Sequence, residues 1–186
     1  PDSVNDYGKN IIPKMLAAGE KMYAYSFSGY WKDVGTLSSL WEANMDLLGE
    51  HPVFDLNDDE WRIRSRTAAE PPQYIGAEAE VCNSIITEGC VIEGTVINSV
   101  LSNGVTVEKG AIVKDSVIMS ETTVGEGSCV SYAILDENVT LGADCRVGAD
   151  KQTTKEVTVI GATAVLEAGT EIEPGTIYSA KNGRGD

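Results

Sequence analysis

The sequence predicts a mainly β protein: a parallel β-helix over residues 75–186, preceded by a short α/β segment. Three observations predict it. Branched apolar residues recur six positions apart, as in Leu101, Val107 and Val113, then Ile118, Val124 and Val130. A slower repeat runs through NSII at 83–86, NSVL at 98–101, DSVI at 115–118 and YAIL at 132–135. The pattern also changes near Tyr74, before which apolar residues follow helical spacing or alternate over one short run. Six is a multiple of the two-residue strand period, so the first observation alone fits any alternating strand. The slower repeat decides the matter. Three short strands per coil, turning at Gly or small residues, stack each residue on its equivalent one coil away. A β-sandwich would give strands of more variable length and no register between the NS-apolar-apolar blocks.

The elements follow in order. KNIIPKML carries Ile11, Ile12, Met15 and Leu16 at helical spacing. KMYAYSF alternates and is rich in aromatics, a strand signal. SFSGYWKDVGT, residues 26–36, is the loop that follows. TLSSLWEANMDLLGE is the clearest helix, with Leu37, Leu40, Trp41, Asn44, Leu47 and Leu48 on one face, Thr36 as N-cap and Gly49 as stop. WRIRSRT at 61–67 alternates Arg62, Arg64 and Arg66 on one strand face, and EPPQY reads as a stiff extended linker. From Ile75 the six-residue series runs through Val81; Ile85, Val91, Ile97; Leu101, Val107, Val113; Ile118, Val124, Val130; and Ala133, Val139, Cys145. GADKQTTKEVT interrupts it as an extruded loop between coils. Val159 and Val165 resume it, and the tail SAKNGRGD reads as frayed.

The 186 residues fit one large domain or one and a half, and 42% apolar content is enough for a core. Formal net charge is −15. Residues 1–74 hold 7 basic and 12 acidic side chains, and the rest 7 and 17. Neither half has a basic field, which excludes nucleic acid and anionic membrane as expected partners. No apolar run approaches the roughly 20 residues of a membrane span. The chain starts at Pro1 without a signal-peptide pattern and is read as a fragment of a longer cytoplasmic protein. Cys82, Cys90, Cys129 and Cys145 show no CxxC spacing and share the chain with a single histidine, so buried reduced thiols are expected rather than a zinc site. That histidine, His51, is read as a surface turn residue in GEHPVF.

DYGKNIIPKML, GYWKDVGTLSSLWEANMDLL and PPQYIG, in this order and followed by the repeats, resemble the C-terminal half of the bacterial glucose-1-phosphate adenylyltransferases (ADP-glucose pyrophosphorylases) over essentially the whole chain. GYWKDVGT followed by WEANMDLL is the most specific part, and the repeats alone are the weakest. The resemblance implies a Rossmann-like nucleotidyltransferase domain followed by a left-handed β-helix of hexapeptide repeats, a hand that departs from the usual crossover rule. Residues 1–60 would then be the C-terminal edge of the catalytic domain, 61–74 a connecting strand and linker, and 75–186 the β-helix domain. The implied reaction makes ADP-glucose and pyrophosphate from ATP and glucose 1-phosphate, with Mg²⁺, for glycogen synthesis. The implied assembly is an allosteric homo- or hetero-oligomer, a tetramer in the full enzyme, with the β-helix serving assembly and regulation.

No GGxGxR-like nucleotide loop occurs in the sequence, so the chain alone is expected to be inactive, to hold no catalytic residue beyond metal support and to bind no cofactor by itself. In this family the Asp of the W-K/R-D-V-G-T motif is a metal ligand, a role the resemblance carries to Asp33. Lys32 would offset phosphate charge, and Ser28 and Tyr30 would line the sugar side. Trp31 is read as packing. Read from the residues alone, Asp33 equally suits capping or bracing the helix that begins at Thr36. Effector phosphates in the family bind near the domain junction, where Arg62, Arg64 and Arg66 lie in sequence. Two alternatives stay open: a non-catalytic regulatory paralogue of the same family, and a hexapeptide-repeat acyltransferase. The second typically needs a histidine base in the repeats, and residues 75–186 contain none.

Overall fold

The computed structural model describes residues 5–56, 58–60, 62–63 and 69–179. They fall into two compact units, one ending at Trp31 and one beginning at Lys32.

In the first unit a π-helical turn, Tyr7–Ile11, leads into helix α1, Ile12–Ala17. The Asp6 side chain accepts the Lys9 N–H at 2.6 Å and opens the turn. Pro13 sits in the first turn of α1, where a missing N–H breaks no helical bond. Gly19, at φ +70°, ends the helical stretch. KMYAYSF, expected as a strand, pairs with no strand among the described residues. A ladder needs a partner for its backbone N–H and C=O groups, and Tyr23 and Tyr25 stand 91% and 88% exposed.

The second unit opens with helix α2, Leu37–Met45. Thr36 caps it: its Oγ1 accepts the Ser39 N–H at 3.1 Å, while Ser39 Oγ accepts the Thr36 N–H at 2.9 Å. The helix closes on Asp46, three residues before the expected stop at Gly49.

Six coils of three strands follow. The first holds β1 (Tyr74–Ile75), β2 (Glu80–Cys82) and β3 (Ile85–Ile86). The second holds β4 (Val91–Ile92), β5 (Thr95–Ile97) and β6 (Val100–Leu101). The third holds β7 (Thr106–Val107), β8 (Ile112–Lys114) and β9 (Val117–Ile118). The fourth holds β10 (Thr123–Val124), β11 (Cys129–Ser131) and β12 (Ala133–Leu135). The fifth holds β13 (Thr140–Leu141), β14 (Arg146–Gly148) and β15 (Thr158–Ile160). The sixth holds β16 (Val165–Leu166), β17 (Glu171–Ile172) and β18 (Ile177–Tyr178). Every third strand pairs in parallel, giving three six-stranded sheets that enclose one core. EPPQY is built into this stack, since the Pro71 carbonyl accepts the Gly89 N–H at 2.7 Å.

Leu101, Val107, Val113, Ile118, Val124 and Val130 all lie fully buried in that core, as their spacing predicts. Ile85, Val91, Ile97, Val159 and Val165 do not, and their neighbours Ile86, Ile92, Val96, Ile160 and Leu166 take the inward places. A pair such as VI or VL is apolar at both positions, so the six-residue count cannot say which one faces in.

The slower repeat marks a corner. Asn83, Asn98 and Asp115 adopt φ of 44°, 47° and 49°, a left-handed conformation that Asn and Asp tolerate best after Gly. The serine after each closes the turn. Ser84 Oγ accepts the Ser99 N–H, and Ser99 Oγ accepts the Ser116 N–H, each at 3.1 Å. Ser116 Oγ accepts the Ala133 N–H at 3.2 Å. Each hydroxyl also donates to the carbonyl two residues back. Ser99 and Ser116 are fully buried yet satisfied, so the corner meets the hydrogen-bonding demand of a dry interior. Cys90 and Cys145 are buried as expected. Cys82 is exposed and Cys129 half-buried, because strand residues alternate between core and surface.

Candidate functional site

Of the residues the sequence singled out, Ser28, Tyr30 and Trp31 belong to the first unit, and all three are exposed there. Lys32 and Asp33 belong to the second. The Lys32 ammonium donates to Asp46 Oδ2 at 2.9 Å and lies 3.2 Å from Glu42 Oε2. Glu42 and Asp46, the C-cap, are four apart on α2, hence neighbours on one face, and the lysine bridges them. The Asp46 hydrogen bond comes first among the causes that hold the ammonium above its ordinary pKa; partial burial opposes it, and the Glu42 bond adds to it. The Asp33 carboxylate is exposed. The helix cap that it could have supplied is made by Thr36. Arg62 pairs with Asp59, both largely exposed. Arg64 and Arg66 lie outside the described residues, as do residues 180–186 of the tail.

The best-built polar and aromatic cluster lies on the outer face of the third sheet, and the sequence reading passed over it. Val117, Ile134 and Val159 stand in register on β9, β12 and β15 and point away from the coil interior. Trp41 of α2, 4% exposed, packs on them with Leu40 and Met45. Nine helical residues span about 13 Å, close to three strand spacings of about 4.8 Å. The Trp41 indole N–H donates to the Asp115 carbonyl at 2.7 Å. Its ring meets the Tyr132 ring edge-on, centroids 4.9 Å apart at 86°. Tyr132 occupies the corner that Asn83, Asn98 and Asp115 fill in other coils, at φ 47°. A tyrosine there is unfavourable for the backbone, and its ring contact with Trp41 supplies the reason. Burial, and secondly the Glu42 charge, raise its phenol pKa. The signal in the sequence was the break from NS to YA at 132–133.

The polar stretch expected as a loop between coils lies inside the fifth coil, between β14 and β15, and folds back on this cluster. Lys151 Nζ sits 4.2 Å from the Trp41 ring centroid and 6.0 Å from that of Tyr132. Asp150 Oδ2 accepts from Lys114 Nζ at 2.8 Å. This bond raises the lysine pKa and lowers that of the aspartate.

A cleft of about 600 Å³ lies between the chain after α2 and the first coil, lined by Leu47, Pro52, Leu56 and Ile85 among others. Among the described residues its charged lining is Glu50 and Asp55, with no lysine or arginine. Among the described residues no helix is long and apolar enough to cross a membrane.

Stacked coils of three short parallel strands, with a helix seated on one outer face, define a hexapeptide-repeat β-solenoid. The chain belongs to the GlmU-like, C-terminal hexapeptide family, which it matches over residues 71–176. Residues 1–50 match the nucleotidyl transferase family. A glucose-1-phosphate adenylyltransferase of Desulforamulus reducens is 45% identical over 177 residues, 93% of this chain and 44% of its own length. One from Clostridium perfringens is 48% identical over 171 residues, covering 90% and 44%. One from Bacillus thuringiensis (strain Al Hakam) is 52% identical over 141 residues, covering 76% and 38%. The chain thus spans about two fifths of the length of the curated relatives it matches.

Proposed function

We propose that this chain is the C-terminal part of a glucose-1-phosphate adenylyltransferase, which joins ATP and glucose 1-phosphate into ADP-glucose and releases pyrophosphate. One observation carries the reading. A nucleotidyl transferase match over residues 1–50 is followed by a hexapeptide match over 71–176, and relatives of that name align with the chain at 45–52% identity. The proposed domain division follows: residues 1–60 from the catalytic domain, 61–74 a connection, 75–186 the solenoid.

In such a reaction a sugar-phosphate oxygen attacks the α-phosphorus of ATP, and the protein chiefly positions groups and neutralises charge. Mg²⁺ keeps several waters and needs one or two carboxylates beside the substrate phosphates. Among the described residues no cluster of three or more His, Cys, Asp or Glu is arranged to hold an ion. Asp33 fits as one carboxylate ligand beside the substrate phosphates. When bound, the metal would neutralise phosphate charge. Lys32, held by Asp46 and Glu42, braces the loop that carries Asp33, and would offset phosphate charge only by leaving those two carboxylates. Ser28 and Tyr30 line the sugar. The full enzyme is an oligomer, a tetramer on this reading, and works in the cytoplasm. Arg62, Arg64 and Arg66 contribute to an effector site, so reversing all three charges should abolish the effector response; an unchanged response removes them from it.

The test is Asp33→Asn in the full-length enzyme. Losing a metal ligand removes several kcal/mol of charge stabilisation, so Mg²⁺-dependent turnover should fall about a hundredfold or more with the melting temperature unchanged. The 186-residue chain alone should form no ADP-glucose. Full turnover by D33N, or synthesis by the isolated chain, contradicts the assignment.

A further inference from the structure

We propose that the excursion at residues 149–157 is a clasp that holds α2 on the solenoid and thereby fixes the Lys32–Asp33 loop. Trp41, Tyr132 and Lys151 are then positioning residues for nucleotidyl transfer. The link to activity rests on the function proposed above; the clasp itself rests on geometry.

Four observations carry it. First, the excursion occurs at one place only. Strand partners in the first sheet lie fifteen or seventeen positions apart up to Thr123–Thr140, and Thr140 then pairs with Val165, twenty-five positions on. Second, the added residues are engaged. Asp150 turns the loop on itself, its Oδ1 accepting the Gln152 N–H at 2.9 Å and its carbonyl the Thr153 N–H at 2.8 Å. The same side chain ties the loop to Lys114 on β8. Third, the Lys151 ammonium lies 4.2 Å from the Trp41 ring centroid, within cation–π reach. Tyr132 leaves the Asn/Asp pattern of its corner and meets the same indole. Fourth, α2 is also tied to the loop before it, through Glu42 and Asp46 to Lys32. A continuous set of contacts therefore runs from Asp150 through Lys151, Trp41 and α2 to Lys32, next to Asp33. α2 begins four residues after Asp33, so any tilt of the helix on the solenoid moves that carboxylate. Holding a reacting group to within a fraction of an ångström is what such supporting contacts supply.

The test compares Lys151→Gln with Lys151→Arg by amide hydrogen exchange on the 186-residue chain. Lys151 is exposed, so neither change should unfold the protein. K151Q should speed exchange at residues 39–45 and at the Thr36 amide, which Ser39 Oγ holds at the end of the loop, about two- to fivefold, the size expected for an exposed cation–π contact. K151R should exchange like the parent, and the core strands should not change in either. Parent-like exchange in K151Q overturns the clasp. Faster exchange over α2 without change at the Thr36 amide overturns its reach to the loop. In the full-length enzyme K151Q should raise the Mg²⁺ concentration for half-maximal rate two- to fivefold, with K151R restoring it. An unchanged Mg²⁺ requirement overturns the positioning role. A parent enzyme without nucleotidyl transfer overturns the proposed function instead, and the exchange result still decides the clasp.

Discussion

Leu16 and Leu135 are both leucines in short apolar runs of regular period, yet Leu16 is 62% exposed and Leu135 is fully buried. The same contrast holds between their regions. In residues 5–31 the helical face of Ile12, Met15 and Leu16 is exposed, as are Tyr23, Tyr25 and Phe27. In the solenoid each inward residue is covered by its own equivalent one coil away. A periodic pattern specifies which face seeks cover; it supplies the cover only when the sequence repeats. The solenoid carries its partners within itself, whereas a helix and a lone strand-like run do not.

The largest expected effect separates the two regions directly. Leu135→Ala should lower stability by about 3–5 kcal/mol, because it opens a cavity in a stacked core. Leu16→Ala should stay within about 0.5 kcal/mol. Urea unfolding of both variants checks this, and equal losses would erase the distinction. Trp41→Ala comes next, at about 3 kcal/mol, since it removes the side chain that joins α2 to the outer sheet face. Tryptophan loss of this size with the solenoid's circular dichroism intact would mark α2 as an addition to the solenoid rather than part of its core.

The smallest effect is electrostatic. The pKa values of Lys32, Lys114 and Tyr132 are raised in the fold, so their contribution is present at neutral pH and is lost as pH rises past about 10. The pKa of Asp150 is lowered, so its contribution is present above the ordinary carboxylate range and is lost as pH falls through its folded value. α2 should therefore hold across the neutral range and loosen first at either extreme, which the pH dependence of Trp41 fluorescence would follow. Loosening at pH 7 would contradict these shifts.

The coils were legible in the sequence because repetition averages over local ambiguity. Asn83, Asn98 and Asp115 show why the slow repeat was informative: each marks a left-handed corner that few other residues accept. The inward choice between Val91 and Ile92 was not legible, since both are branched and apolar. The partners of Lys32 were hidden because Asp46 lies fourteen residues away across a loop and a helix. Trp41 was visible as a helix-face residue, but its seat was not, because Tyr132 and Lys151 reach it from distant coils. At the candidate site the motif around Asp33 was readable, while the braces behind it emerge only when the coils are stacked.

The contrast between a self-sufficient solenoid and an uncovered first unit is tested most directly by native-state hydrogen exchange on the 186-residue chain. Amides in the strands from Thr95–Ile97 to Thr158–Ile160 should exchange only through global unfolding. Those of residues 20–31 should exchange close to the unprotected rate. Protection of residues 20–31 equal to that of the strands would contradict the account.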